Sequence, residues 1–419
     1  MIKKIFKGIL IFLVSLIILI GIGDFLWINL PKLNARKNIS DIEDYGKAVS
    51  QINLDDNIQV VGLGEAAHGN SDFQDLKLEV LKTLVEKNNL KSFAIEADFG
   101  EGMIINNYIH GNKRDENISR IFSFNIYHTK NMSDLINYMF DYNQKAKDED
   151  KLSFYGFDMQ NPEKSIDLIL DFCKENNILQ EKDLKKELSF IKDEKIKISQ
   201  IKDKEALLLE IKAYADALSS SDAKIASRAL TNILNSIKYY ELDFNDYVKV
   251  NNVRDELMAE NVKWISDFEK SKGNKMLLIS GHNGHISKSE KFYEPMGSHL
   301  KKIFGEKYFI IGTDFYKGIV NINVAGPDNK RSNHVFVSAD PLAYSARKFK
   351  GKYYLDFTKV KDGETFDVIN KEINMISLGE GYSPLMKFIP TTYRVKEVPK
   401  DLYDAMIFVY YAKPIAVND

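Results

Sequence analysis

The sequence contains a single cysteine, Cys173, among its 419 residues. One cysteine excludes an intramolecular disulfide framework and any structural zinc site that needs two or more thiolates. We expect Cys173 to be a small core residue on a helix, because no histidine lies near it in the sequence to activate the thiol.

The chain also lacks an excess of charge of either sign. Lys and Arg total 58 and Asp and Glu total 60, which leaves a formal net charge of -2. Without a basic field the chain is poorly suited to bind a phosphate backbone, so we expect no nucleic-acid partner. Hydrophobic residues make up 44% of the chain, which excludes a disordered protein and allows a sizeable core.

Several common catalytic motifs are absent as well. The sequence has no G-x-S-x-G nucleophile elbow, no H-E-x-x-H, no Walker A motif and no G-x-G-x-x-G after a strand. These absences disfavour an ordinary serine esterase, the common zinc protease and a nucleotide-binding enzyme.

One long apolar run stands at the amino terminus. Three lysines precede the run at 9–22, and residues 25–28 extend its apolar character. The 16 residues from Gly8 to Gly23 would form about 24 Å of helix, slightly less than the hydrocarbon core of about 30 Å. A retained membrane anchor and a cleaved signal peptide both fit this pattern. We favour the anchor, because no A-x-A cleavage site follows the run.

The orientation of this anchor is less strongly encoded. Lys32, Arg36 and Lys37 follow the run, so the positive residues on its two sides nearly balance. Because a short tail before a first span usually stays inside the cell, we predict a single-pass protein of the cell membrane with an extracellular body. The membrane is then one partner of the chain.

After residue 55 the patterns of strands and helices alternate, which predicts an α/β fold with a mainly parallel sheet flanked by helices. Predicted strands cover 58–64, 91–98, 152–156, 276–280, 308–314, 320–324, 353–360 and 406–411. Between 163 and 270 only helical spacing is present, which predicts an all-helical insertion. The expected division is an anchor or signal at 1–30, a linker at 31–55, an α/β core at 56–162, the insertion at 163–270 and the rest of the core at 271–419.

Polar side chains cluster at four of the predicted strand ends, where ligands bind in open parallel sheets. The clusters are Glu65 with His68, Glu96 with Asp98, Asp158 with Gln160, and His282 with His285. Each cluster alone could be structural, and Glu65 could simply cap the following helix. Together they supply histidine bases and orienting carboxylates, which is the inventory of a hydrolytic site.

The segments that carry these residues resemble the erythromycin esterase family, which includes proteins labelled as succinoglycan biosynthesis proteins. The resemblance rests on VVGLGEAAHGNSDFQDLKLEVLKTLV (60–85), FAIEADFGEGMIINNYIHG (93–111), FYGFDMQNP (154–162), RDELMAENVKW (254–264), SGHNGHISK (280–288), MGSHLKKIFGEKYFIIGTDF (296–315) and DAMIFVYYAKP (404–414). It implies an α/β core with a helical portion. It also implies hydrolysis of a small-molecule ester, with a macrolide lactone as one candidate, by activated water and without a covalent serine intermediate.

The resemblance also implies roles for individual residues. His68 matches the proposed general base, Glu65 and Glu96 match the family's carboxylates, and the H-N-x-H segment supplies His282 and His285. Macrolide-cleaving members often carry an arginine where this chain has Lys77, and lysine lacks the bidentate fork. Lys77 is thus either a substrate contact or a solvated helix residue.

Three further candidates contact substrate in this interpretation: Asp98, Asp158 and Gln160. The favoured reaction needs no cofactor and no metal. One alternative is a metal-dependent hydrolase or peptidase of a related fold, with Glu65, His68, Glu96 and His282 or His285 as ligands. The other is a non-catalytic, envelope polysaccharide-related protein.

Overall fold

The chain forms two compact bodies in a computed structural model that describes residues 2–188, 202–325 and 330–417. The larger body comprises 49–65, 73–312 and 416–419. The smaller body comprises 1–48, 66–72 and 313–415. Part of the predicted helical insertion, 189–201, lies outside the described residues.

A parallel sheet forms the centre of the larger body. Its strands, labelled in chain order, are β1 (Val60–Glu65), β2 (Ser92–Asp98), β3 (Ser153–Asp158), β4 (Leu277–His282) and the beginning of β5 (Tyr308–Val324). They lie in the order β3-β2-β4-β1-β5, and each neighbouring pair is parallel. Every residue of β1, β2 and β3 is buried, which explains why these strands read as nearly continuous apolar runs. The prediction of a mainly parallel α/β fold is confirmed.

Helices cover this sheet and fill the described residues between Pro162 and Lys272, where no strand occurs. Several begin at a side chain that accepts a backbone N–H: Thr129 from Met132 and Asp246 from Lys249. The helices are Ser71–Asn88, Phe99–His110, Lys130–Asn143, Glu163–Glu175, Leu184–Leu188, Glu205–Asp216, Ser221–Tyr240, Tyr247–Ser271, Asn283–Ile286 and Met296–Phe304. Cys173 is buried in one of them, as expected.

The smaller body is built on mixed β-structure. It contains the rest of β5 with β6 (Arg331–Val337), β7 (Lys352–Asp356), β8 (Ile373–Ile376), β9 (Gly381–Tyr382), β10 (Arg394–Glu397) and β11 (Ala405–Ala412). β5 and β6 form an antiparallel hairpin, β11 pairs antiparallel with β7, and β8 pairs with β10 in a separate two-stranded sheet. Its short helices are Ile42–Tyr45, Pro341–Ser345, Gly363–Ile369 and Pro399–Leu402.

Strand β5 corrects one prediction. The sequence predicted two strands, 308–314 and 320–324, whereas the structure has one strand of 17 residues. The chain remains extended through Gly318, where the glycine makes room for its neighbours. A Cβ at this position would lie 2.9 Å from the ring of Phe315 and 3.0 Å from the Cβ of Ala412.

The apolar run at the amino terminus is helical. Ile2–Asp24 continues through a wider turn, Phe25–Asn29, into Leu30–Asn34. Residues 5–34 form one helical stretch long and apolar enough to cross a membrane, with a mean hydropathy of 2.8 and none of its most apolar window buried. A signal sequence has the same properties. Ile28, near the far end of the stretch, and Ala35, directly after it, are buried.

Candidate active site

The sheet register brings strand-end residues side by side. Glu65 at the end of β1 lies opposite His282 at the end of β4. Asp98 at the end of β2 lies opposite Asp158 at the end of β3. Eight of the nine residues predicted from the sequence belong to the larger body, and His68 belongs to the smaller one.

Glu65 and Lys77 form a buried ion pair. Lys77 lies on the helix Ser71–Asn88 and donates to Glu65 Oε2, and the two side chains are 1% and 2% exposed. The interpretation of Lys77 as a solvated surface residue is therefore wrong. Each charge compensates the burial of the other, so removing either partner would lower the stability of the fold.

An arginine that the sequence analysis did not single out connects the next two strand ends. Arg254 Nη2 donates to Glu96 Oε1 at 2.8 Å and to Asp158 Oδ2 at 2.7 Å. Burial alone would lower the pKa of Arg254, but the charges of Asp158 and Glu96 outweigh it and raise the pKa well above its ordinary value. The guanidinium is therefore a permanent cation between two buried carboxylates.

His285 is held from both sides of its ring. Its Nδ1 lies 2.9 Å from Asp255 Oδ1, and its Nε2 lies 3.0 Å from Arg254 Nη1. Because arginine can only donate, Nε2 accepts this hydrogen bond and Nδ1–H donates to Asp255. Burial lowers the pKa of His285, but the carboxylates of Asp255 and Glu96 outweigh it and raise the pKa above its ordinary value. The ring is thus held in a defined orientation by hydrogen bonds on both nitrogens.

His282 forms one hydrogen bond through its backbone N–H and another through its side-chain ring. Its backbone N–H donates to Glu96 Oε2 at 2.8 Å, and its side-chain Nδ1 accepts from the backbone N–H of Gly284 at 3.2 Å. The side chain thereby caps the short helix Asn283–Ile286. The rings of His282 and His285 lie 6.3 Å apart between centroids.

The remaining candidates of the larger body contact neighbouring helices. Asp98 accepts from the backbone N–H of Gly100 at 2.8 Å and caps the helix Phe99–His110. Burial, and then the charge of Glu101, raise the pKa of Asp98 well above its ordinary value. Burial also raises the pKa of Glu101 to about 7. Gln160 Nε2 donates to Tyr239 Oη at 2.9 Å, on the helix Ser221–Tyr240.

His68 lies in the turn that follows β1, and it is partly buried within the smaller body. The chain on both sides of it is fixed. Ala66 N–H donates to Thr313 Oγ1 at 3.0 Å, and Gly69 passes so close to β5 that a Cβ there would lie 1.9 Å from the carbonyl oxygen of Asn321. Glycine is required at position 69 by this close approach.

The sequence alternative of a metal site does not fit this arrangement. Among the residues that the structure describes, no group of three or more His, Cys, Asp or Glu side chains is placed to hold a metal ion. The protein's own cations, Lys77 and Arg254, contact the carboxylates Glu65 and Glu96 that the alternative would use as ligands.

Arg254 and Asp255 are the site residues that reasoning from the sequence missed. They lie on the helix Tyr247–Ser271, far from any strand end in the sequence, so the rule that locates ligands at strand ends does not reach them. The available signal was the segment at 254–264, which resembles the family and begins with this Arg-Asp pair.

Comparison with known proteins places the chain among related sequences. A sequence model of the erythromycin esterase family matches residues 85–411. The chain is 25% identical over 304 residues to the protein named erythromycin esterase type II from Escherichia coli, which covers 62% of this chain and 70% of that relative.

Two solved structures share the fold. A Bacillus cereus protein superposes with a TM-score of 0.76 at 21% identity, over 93% of this chain and 99% of its own. A mutant of the erythromycin esterase EreC in its open conformation superposes with a TM-score of 0.64 at 15% identity, over 90% of this chain and 99% of its own. With the sequence match covering most of its length, the chain belongs to the erythromycin esterase family.

Proposed function

We propose that the protein hydrolyses an ester bond with a histidine-activated water. Family membership suggests a hydrolase, and the observation that carries the proposal is the buried network of Glu96, Arg254, Asp158 and His285 at the strand ends. A fixed cation and an oriented imidazole beside carboxylates supply the charge stabilisation and the proton transfer that ester hydrolysis needs.

His68 is the general base in this mechanism. Glu65, three residues earlier, or Glu96 stabilises the imidazolium that forms when water loses its proton. His285 or His282 protonates the leaving alkoxide or polarises the carbonyl. Arg254 and Lys77 place positive charge against the carboxylates, while Asp98, Asp158 and Gln160 shape the substrate side.

Turnover of activated esters by the full-length protein tests this proposal. His68→Asn should lower kcat by about 10²- to 10⁴-fold, the usual cost of losing a general base, without lowering thermal stability. Glu96→Gln should be comparably damaging. His110→Asn, at an exposed histidine of the helix Phe99–His110, is the matched control and should leave kcat unchanged. Full activity of His68→Asn on an ester that the wild type cleaves would end the assignment.

The substrate is proposed only as an ester of a small molecule. A macrolide lactone is one candidate, because the Escherichia coli relative is named an erythromycin esterase. An extracellular body would fit poorly with inactivation of a drug inside the cell. A panel that compares erythromycin with simple alkyl and aryl esters decides whether the substrate is a macrolide. If it is, mass spectrometry must detect loss of the intact lactone ring.

The described helices between 163 and 270 are proposed to influence substrate choice. Two of them reach the strand ends: Arg254 contacts Asp158, and Tyr239 contacts Gln160. Substitution of Tyr239 should change the ratio of kcat/KM among esters of different size while nearly preserving stability. An unchanged ratio across the panel would count against this role.

We propose that the apolar amino-terminal helix is retained as a single-pass membrane anchor with the body outside the cell. The exposed apolar stretch at 5–34 supports this proposal. The full-length protein should sediment with membranes and resist alkaline extraction, a chain beginning at Lys32 should be soluble, and protease added to intact cells should digest the body. Mature protein that begins at Asp24 would instead identify a cleaved signal.

A further inference from the structure

An exposed apolar patch on the smaller body has no role in the proposed chemistry. Val335, Leu385 and Phe388 are 60%, 63% and 64% exposed, and we call these three residues the apolar rim. Val335 also lines a cavity of about 300 Å³, together with Lys387 and Tyr393. Large aliphatic and aromatic side chains grouped at such exposure mark an interaction surface.

The apolar rim stands on a packed aromatic base. The ring of His334 stacks on Tyr382 with 3.6 Å between centroids, and Phe336 meets Tyr393 edge to face at 5.3 Å. Ser383 caps the turn that carries Leu385. The rim residues are therefore held outward by structure beneath them rather than carried on a loose loop.

The same part of the smaller body holds the chain that leaves the amino-terminal helix. Arg36 Nε donates to Tyr316 Oη at 2.8 Å, and the carbonyl of Tyr316 accepts from Ser338 N–H at 2.8 Å. One residue before Ser338, the carbonyl of Val337 accepts from Arg394 Nη2 at 2.7 Å. The exit from the helix and the segment between Leu385 and Arg394 are thus fixed to one end of the β5–β6 hairpin.

The length of the helix leaves little distance between the bilayer and this body. From Lys7 to Trp27 a helix spans about 30 Å, the thickness of the hydrocarbon core, and Trp is typical of the membrane interface. Ile28 and Ala35 are 6% and 2% exposed, so the chain is packed against protein as soon as it leaves the bilayer. No long flexible tether separates the helix from the body.

We propose that the apolar rim inserts into the interfacial layer of the membrane beside the anchor, with Lys387 at the level of anionic lipid headgroups. Apolar side chains flanked by a basic residue are the composition that binds an anionic bilayer surface, at a depth of about 5–10 Å. This inference rests on the proposed retained anchor. It makes the anchor and the rim two contacts of one body with one membrane.

Site-specific fluorescence in the full-length protein tests the inference. A single introduced cysteine can be labelled selectively, because Cys173 is buried and burial raises the pKa of its thiol to about 11. Phe388→Cys, Ile17→Cys and Phe292→Cys are each labelled with an environment-sensitive dye. The proteins are reconstituted into vesicles of phosphatidylcholine and phosphatidylglycerol that contain spin-labelled lipid. Phe292 is the matched control, because it is also 64% exposed but belongs to the larger body.

The lipid quencher should reduce the fluorescence of the label at 388 by at least about twofold more than that at 292, as expected for a side chain within the interfacial layer. Strong quenching at 17 with equal quenching at 388 and 292 would overturn the inference and leave the anchor standing. No quenching at 17 would overturn both. If the label at 388 is shielded from water equally in detergent and in vesicles, a second copy of the chain covers the apolar rim. The inference is then wrong as well.

Discussion

The two bodies each bury a group of carboxylates, and they neutralise these groups in different ways. In the larger body, Glu96 and Asp158 share the guanidinium of Arg254. In the smaller body, Asp314 and Asp340 are fully buried and hydrogen-bond to each other. Burial raises the pKa of Asp314 well above its ordinary value and that of Asp340 to about 7, so this pair holds a proton.

The difference separates two uses of buried acid. A cation offsets the charge of its carboxylates and leaves them able to accept further hydrogen bonds, as Glu96 does from the backbone of His282. A shared proton removes one of the two charges and links the two carboxyl groups, here between β5 and the start of the helix Pro341–Ser345. The first arrangement suits a site that acts on a ligand, and the second suits a structural contact.

The largest effect should come from removing the cation. Arg254→Leu leaves Glu96 and Asp158 buried without the cation that they share, which typically costs about 3–5 kcal/mol in the free energy of unfolding. Urea denaturation measures this loss. Arg114→Leu is the control, because Arg114 pairs with Asp141 and Glu116 at the exposed surface and should change stability by less than about 1 kcal/mol.

Arg254→Lys sharpens the same comparison. Lysine keeps the positive charge but cannot bridge two carboxylates and His285 with a planar fork. We expect it to recover more than half of the stability lost by Arg254→Leu and little of the proposed esterase activity. Equal stability of the two variants would show that the charge itself contributes nothing there.

The second-largest effect should be on the pH dependence of stability. The folded-state pKa of Asp340, about 7, lies above its ordinary value of 3.8, so folding retains a proton that the unfolded chain has released. Its contribution to stability is therefore complete below about pH 4 and falls as the pH rises to about 7. Asp340→Asn mimics the protonated acid, and it should reduce the downward slope of stability in this window by up to about 1.4 kcal/mol per pH unit.

Denaturation curves at several pH values between 4 and 8 measure that slope. Asp362→Asn, at an exposed carboxylate of the same body, is the control and should leave the slope unchanged. If Asp340→Asn retains the wild-type slope, the buried pair does not hold the proton.

The smallest effect should come from an uncharged contact in the same cluster. The hydroxyl of Ser338 donates to Asp314 Oδ2 at 3.3 Å and accepts from the backbone N–H of Asp340 at 3.0 Å. Ser338→Ala should cost about 1–2 kcal/mol, because it removes neutral hydrogen bonds and no charge. A loss as large as that of Arg254→Leu would mean that the two clusters are not different in kind.

The fold was predictable where the apolar residues of a segment follow the period of its secondary structure. Strands β1 to β4 are buried along their length, and the helices between them carry apolar residues at helical spacing, so local sequence indicates both. The strands β6, β8, β9 and β10 were not predicted. β9 has two residues and β8 and β10 have four each, and much of their stabilisation comes from pairing with distant segments.

The candidate site was predictable as far as the strand ends. The parallel register places Glu65 beside His282 and Asp98 beside Asp158, as the general rule for such sheets leads one to expect. Arg254 could not be found in this way, since its partners are 158 and 96 residues away in the sequence. A charged residue on a long helix looks the same in sequence whether it faces water or a buried acid.

The position of Arg254 in the chain also sets an order on synthesis. Glu96 and Asp158 leave the ribosome long before the helix Tyr247–Ser271 that carries their cation. Until that helix is made and docks, the ends of β2 and β3 hold two carboxylates that cannot be buried in ionised form without a large cost. The carboxyl ends of β2 and β3 must therefore remain hydrated while the helical segment is synthesised. This edge of the sheet can become buried only after residue 254 has been made.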